Sequence, residues 1–120
     1  SGTEGNATQI AYSSGKAAVT GLTKTLAKEW GRYNVTVNCV AFGHLETRLT
    51  QSYDDEPPLI EVAGKQHKVG LASAQLKAIQ NSVPLGRVGQ AEDGAGAIYL
   101  FCIPESNFVT GEVLTCSGGL

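Results

Sequence analysis

Apolar residues in the first third of the chain recur at helical spacing. Val19, Leu22, Leu26 and Trp30 fall three or four positions apart, which predicts a helix over about 12–31 with those four as its buried stripe. Lys24, Lys28 and Arg32 lie toward its C-terminal end, where cations favour the helix dipole, and Gly31 is the expected stop. The pattern then changes to short, mainly apolar runs at about 35–41 and 112–116 that do not keep a regular alternation. Short apolar runs rather than alternating ones are expected of strands covered on both faces. A long connection, 48–82, intervenes, with a turn-prone acidic head at Asp54-Asp55-Glu56-Pro57-Pro58 and a helical stretch from Ser73 to Ser82. Its length suits a lid or binding loop, the alternative being a solvated surface insertion. Ala91 to Ile103 reads as a further helix, weakened by Gly94 and Gly96 and stopped near Pro104. Those glycines are expected to permit close packing, because no strand leads into them as a phosphate loop requires. Residues 1–11, small and polar, read as a loop. Two strands alone make a marginal sheet in water, so an α/β architecture calls for more strands beside them.

Composition narrows the class. With 42% hydrophobic and 17% charged residues over 120 positions, the chain reads as globular rather than disordered. A net charge of -2 offers no basic footprint for nucleic acid. No apolar run approaches the ~20 residues of a membrane span, and no signal-peptide pattern opens the chain. The expectation is a cytoplasmic protein, or one of another reducing intracellular compartment. Cys39, Cys102 and Cys116 are odd in number, form no C-x-x-C pair and sit in apolar stretches, so buried reduced thiols are expected and a metal site is not. The sequons at Asn6 and Asn34 would matter only in a secreted protein.

Candidate chemistry begins at Tyr12-Ser13-Ser14-Gly15-Lys16. Positions four apart share a helix face. A phenol with an ammonium held ~4–6 Å away parts with its proton more readily than one in water, and can then exchange it with a carbonyl or alcohol oxygen. By itself the spacing is equally that of a solvated helix face.

Further segments follow in order: Asn34-Val35-Thr36-Val37-Asn38-Cys39-Val40-Ala41, Phe42-Gly43-His44-Leu45-Glu46-Thr47, Pro84-Leu85-Gly86-Arg87, and Thr110-Gly111-Glu112-Val113-Leu114-Thr115-Cys116-Ser117-Gly118-Gly119. Together with the Tyr12/Lys16 pair they resemble the C-terminal half of a short-chain dehydrogenase/reductase. The likeness is greatest to the branch that includes the 3-oxoacyl-acyl-carrier-protein reductases, and it runs from about Gly2 to the end, apart from a divergent stretch at 51–80.

The resemblance implies an α/β fold, the C-terminal part of a Rossmann-type doubly wound parallel sheet without its N-terminal dinucleotide-binding half. Residues 1–120 would be the catalytic and substrate-binding portion of a single domain, with a lid-like insertion at about 48–82. The implied activity is hydride transfer between NAD or NADP and a ketone or secondary alcohol, with a 3-oxoacyl thioester as one substrate class. Tyr12 matches the proton donor, and Lys16 the lysine that lowers the tyrosine's pKa and hydrogen-bonds the nicotinamide ribose. Phe42, Gly43, Leu45 and Thr47 match the nicotinamide-side loop, the Leu45 backbone on the carboxamide and Thr47 nearby. Phe42 stands where that family usually has proline, which adds a large ring and removes a rigid φ. His44 is read as a solvent-exposed loop residue. The family's substrate-orienting serine would fall two residues before Ser1, and the Gly-rich turn that seats a pyrophosphate is not in this segment. The segment alone is therefore expected to be inactive. Members of the family often form homotetramers, partly through the helix matching 12–31. The competing reading is a structural or assembly subunit that keeps this fold without catalysis.

Overall fold

The helical periodicity of the first third becomes α1, Ile10–Trp30, in a computed structural model that describes residues 10–47, 52–54, 56–68 and 70–120. Ser1, the Asn6 sequon and most of the expected N-terminal loop lie outside those residues, as do 48–51, Asp55 and 69. The stop is not Gly31 itself. A 3-10 turn, Gly31–Tyr33, follows α1, and Asn34 closes it in the left-handed region at φ 59, its N–H bonded to the Gly31 carbonyl at 2.9 Å. Asparagine tolerates that conformation better than most residues with a β-carbon.

The buried line of α1 differs from the expected stripe. Thr23 and Ala27 are the buried positions, while Val19, Leu22 and Trp30 stand 42%, 58% and 43% exposed and Leu26 is half-buried. Backbone proximity decides which side packs. A β-carbon built on Gly111 would lie only 3.5 Å from that of Ala27, so small residues meet where the chain crosses the helix. Thr23 turns its hydroxyl back to the Val19 carbonyl at 2.8 Å, which satisfies it without a partner outside the helix.

The two apolar runs become β1, Cys39–Phe42, and β6, Val113–Cys116, paired in one two-stranded sheet. The hydrogen bonds Cys39 N–H to Glu112 O and Gly43 N–H to Cys116 O, both 2.9 Å, advance together along the two strands, so they run parallel. The predicted strand at 35–41 starts late because residues before Cys39 bond to the loop ahead of β6. Gly111 N–H reaches the Val37 carbonyl at 2.7 Å and Val37 N–H reaches the Thr110 hydroxyl at 3.0 Å. Asn38 donates to Val109 O at 2.9 Å and accepts from Glu112 N–H at 3.1 Å, clamping the same loop.

The 48–82 connection holds more regular structure than its sequence suggests. β2, Ser52–Tyr53, pairs in parallel with β5, Leu71–Ala72, and β3, Leu59–Val62, forms an antiparallel hairpin with β4, Lys65–Lys68. The expected helix is present as α2, Ser73–Ser82. Gln75 Oε1 accepts from the Ala72 N–H at its start, and the Ser73 hydroxyl bonds Asp54. The last helix, α3, spans Ala91–Tyr99. It is shorter than the expected 91–103, turns replacing it after Tyr99 and a 3-10 turn forming at Pro104–Ser106. The thiols are free but none is fully buried: Cys102 is exposed, and Cys39 and Cys116 are intermediate. Two compact units result. One holds α1, most of β1 and Ala97–Leu114; the other is Phe42–Gly96 with Thr115–Leu120.

Candidate functional site

In the first unit, α1 carries Tyr12 and Lys16 one turn apart. The Lys16 ammonium stands over the Tyr12 ring, 5.3 Å from its centroid, within the range in which a cation is attracted to a ring face. Tyr12 is 56% exposed and Lys16 is exposed as well. A phenol hydroxyl and an ammonium with three donors are thus presented side by side to whatever approaches that end of the helix.

In the second unit, β1 delivers the chain to the loop Gly43–Thr47. Gly43 is required there. A β-carbon on it would lie 2.7 Å from Ser117 Cβ and 2.8 Å from Ser117 Cα, so the close approach it permits is to the chain leaving β6. Phe42, 48% exposed, lays its ring against α3. A β-carbon on Gly94 would lie 3.2 Å from Phe42 Cε1 and 3.1 Å from Leu45 Cδ1, which bears out a packing role for that glycine. Gly96 meets nothing within 4 Å. His44, Glu46 and Thr47 are exposed, and Leu45 is half-buried.

The loop is tied to the segment entering α3. Gly89 N–H donates to His44 O at 3.0 Å and Glu46 N–H donates to Gly89 O at 2.7 Å, a short parallel bridge around Leu45. Gln90 Nε2 reaches Glu46 Oε2 at 2.9 Å. Beneath it Arg87 grips Asp93 through both guanidinium arms, at 2.6 and 2.9 Å, and Asp93 also accepts from the Gln90 N–H at 2.7 Å. The guanidinium hydrogen bonds, and then the Gln90 N–H, hold the Asp93 carboxyl well below the usual carboxylate range. The same pairing raises Arg87. A cleft of about 100 Å³ lies here, lined by His44, Leu45, Arg87, Asp93, Cys116 and Ser117 among others.

Arg87 closes the quoted segment Pro84–Arg87, but its partner Asp93 and the pairing itself do not follow from any of the motifs. Its signal was present in Gln90-Ala91-Glu92-Asp93, an acceptor three residues into a helix returning to the backbone at its start. Of the residues matched by resemblance, Tyr12 and Lys16 adjoin in one unit, while Phe42, Gly43, Leu45 and Thr47 lie along one loop of the other. No group of three or more His, Cys, Asp or Glu among the described residues is arranged to hold a metal. Nor is any described helix long and apolar enough to cross a membrane.

Comparison with known proteins gives a consistent result. The family profile described as short chain dehydrogenase matches residues 1–58. The 3-oxoacyl-acyl-carrier-protein reductase of Vibrio harveyi is 36% identical over 119 residues, covering 99% of this chain and 41% of that protein. A tropinone reductase homolog of Arabidopsis thaliana is 31% identical over 108 residues, covering 90% of this chain and 35% of that protein. Among solved structures, a short chain dehydrogenase from Bacillus anthracis superposes with a TM-score of 0.61 at 33% identity, covering 88% of this chain and 33% of that one. The chain thus spans about two-fifths of the length of the first of these relatives.

Proposed function

Since the chain belongs to the short-chain dehydrogenase family, we propose that it forms the proton-donating part of an NAD(P)-dependent oxidoreductase acting on a ketone or secondary alcohol. The observation that carries this reading is the Tyr12 phenol with the Lys16 ammonium 5.3 Å from its ring centroid, both open to solvent. Tyr12 donates its hydroxyl proton to the carbonyl oxygen during reduction and takes it back during oxidation. The Lys16 charge stabilises the oxygen anion left behind.

Each unit, taken by itself, holds groups that suit a nicotinamide cofactor, NAD or NADP. Lys16 offers three donors of the kind ribose hydroxyls accept, and the exposed residue Thr47 is assigned to the carboxamide side. The Leu45 backbone is assigned to that carboxamide, with Gly43 and Phe42 shaping the loop that presents it. Such a cofactor, when bound, would supply or accept the hydride at the carbonyl carbon.

A 3-oxoacyl thioester is the substrate class to test first, because relatives of 34–37% identity are named as reductases of such acyl groups. The segment at 48–82, with its β3–β4 hairpin and α2, acts as the substrate-side lid of a single catalytic domain. The open apolar side chains of α1, Val19, Leu22 and Trp30, support self-association through that helix into a homo-oligomer. Three free thiols suit a reducing compartment such as the cytoplasm.

The test is oxidation of NADH and NADPH by the full-length protein with a 3-oxoacyl thioester and with a simple ketone. Turnover with either substrate is expected. A full-length protein that binds neither nicotinamide would instead support a non-catalytic assembly role.

A further inference from the structure

We infer that Arg87 and Asp93 are positioning residues that brace the His44–Thr47 loop for cofactor binding, an inference that rests on the function proposed above. The argument follows the hydrogen bonds outward from the ion pair. Arg87 holds both carboxylate oxygens of Asp93, at 2.6 and 2.9 Å, which fixes the carboxylate plane as a single contact could not. One of those oxygens holds the Gln90 N–H at 2.7 Å. The Gly89–Gln90 peptide is thereby set where Gly89 exchanges two backbone bonds with the loop, at 3.0 Å to His44 and 2.7 Å to Glu46. The Gln90 side chain adds a third tie, to Glu46 at 2.9 Å. Leu45, the residue whose backbone is assigned to the carboxamide, lies between the two bridged positions.

Exposure separates this role from ordinary stabilisation. The two side chains are 55% and 34% exposed, and exposed ion pairs add little to global stability. What their loss removes is the fixed geometry of Gly89–Gln90, and through it that of the loop. Lysine cannot replace Arg87 in this task, because it lacks the planar fork.

The experiment uses the full-length protein and the variants Arg87→Lys and Asp93→Asn. Amide hydrogen exchange at Glu46 and Gly89 should accelerate in both. NAD(P)H affinity should fall about tenfold, the factor that goes with losing one ordinary hydrogen bond, with cofactor KM rising by a larger factor than kcat falls. Unchanged exchange at Glu46 and Gly89 in both variants overturns the brace, whatever the cofactor does. Accelerated exchange with unchanged cofactor affinity overturns its link to binding. If the unmodified protein binds neither NADH nor NADPH, the proposed activity fails, and the cofactor part of this inference fails with it.

Discussion

Substituting Gly43 with alanine tests the junction that sets the loop after β1. The new β-carbon would stand 2.7 Å from Ser117 Cβ and 2.8 Å from Ser117 Cα. Non-bonded carbons rest at about 3.5–4.0 Å, so the two chains must part by roughly 1 Å. No rotamer change relieves this, because the opposing atoms are backbone or the first atom of a side chain. The parting acts on the Gly43 N–H to Cys116 O bond, now 2.9 Å, and carries it past the ~3.2 Å limit of ordinary geometry. Overpacking of this kind costs about 1–3 kcal/mol and a lost backbone bond about 0.5–1.5, so Gly43→Ala should cost about 2–4 kcal/mol. With a urea dependence of about 1–3 kcal/mol per molar, the unfolding midpoint of the full-length protein should drop by about 1 M or more. Adding Ser117→Gly should recover part of the loss but not all, since Ser117 Cα remains in the way. Gly96→Ala in α3 is the control: its β-carbon meets nothing within 4 Å, so stability should rise by about 0.5–1 kcal/mol. An unchanged midpoint for Gly43→Ala would refute the close approach at Ser117.

Two further expectations concern polar contacts. Asn38→Ala removes both side-chain bonds from the residue before β1 to the segment ahead of β6 and should cost about 1–3 kcal/mol in urea unfolding, at about 0.5–1.5 for each bond. The Asp93 carboxyl is held below its ordinary range when folded, so in acid the unfolded chain binds the proton first and stability falls with pH. That contribution, small for a pair this exposed, should be fully present above about pH 4, the ordinary carboxylate range, and lost as pH falls toward the lower folded value. Urea unfolding of the protein and of Asp93→Asn should therefore differ by a constant amount from neutral pH down to that point and converge below it.

The long elements were legible in the sequence because periodicity carries them: α1, α2, the start of α3, and the apolar runs that became β1 and β6. The β3–β4 hairpin was not. Its turn holds Ala63 at φ 53 and Gly64 at φ 75, the double positive φ that usually announces itself as Asn-Gly or Asp-Gly. Alanine at the first position hides that signal. The buried line of α1 was misread for another reason. Periodicity locates an apolar stripe, but the face that packs within this chain is set by where the Gly111 turn crosses Ala27. The loop of the candidate site was placed correctly after β1, whereas its brace was missed because Arg87, Gln90 and Asp93 act together only once the turn into α3 has folded.

The central claim is that Tyr12 gives its proton to a carbonyl oxygen. The direct measurement is kcat/KM for NAD(P)H-dependent ketone reduction by the full-length protein and by its Tyr12→Phe variant, which removes the hydroxyl and keeps the ring. General-acid catalysis of this type contributes about 10²–10⁴-fold, and a loss in that range is expected. Turnover equal to that of the unmodified protein would contradict the claim.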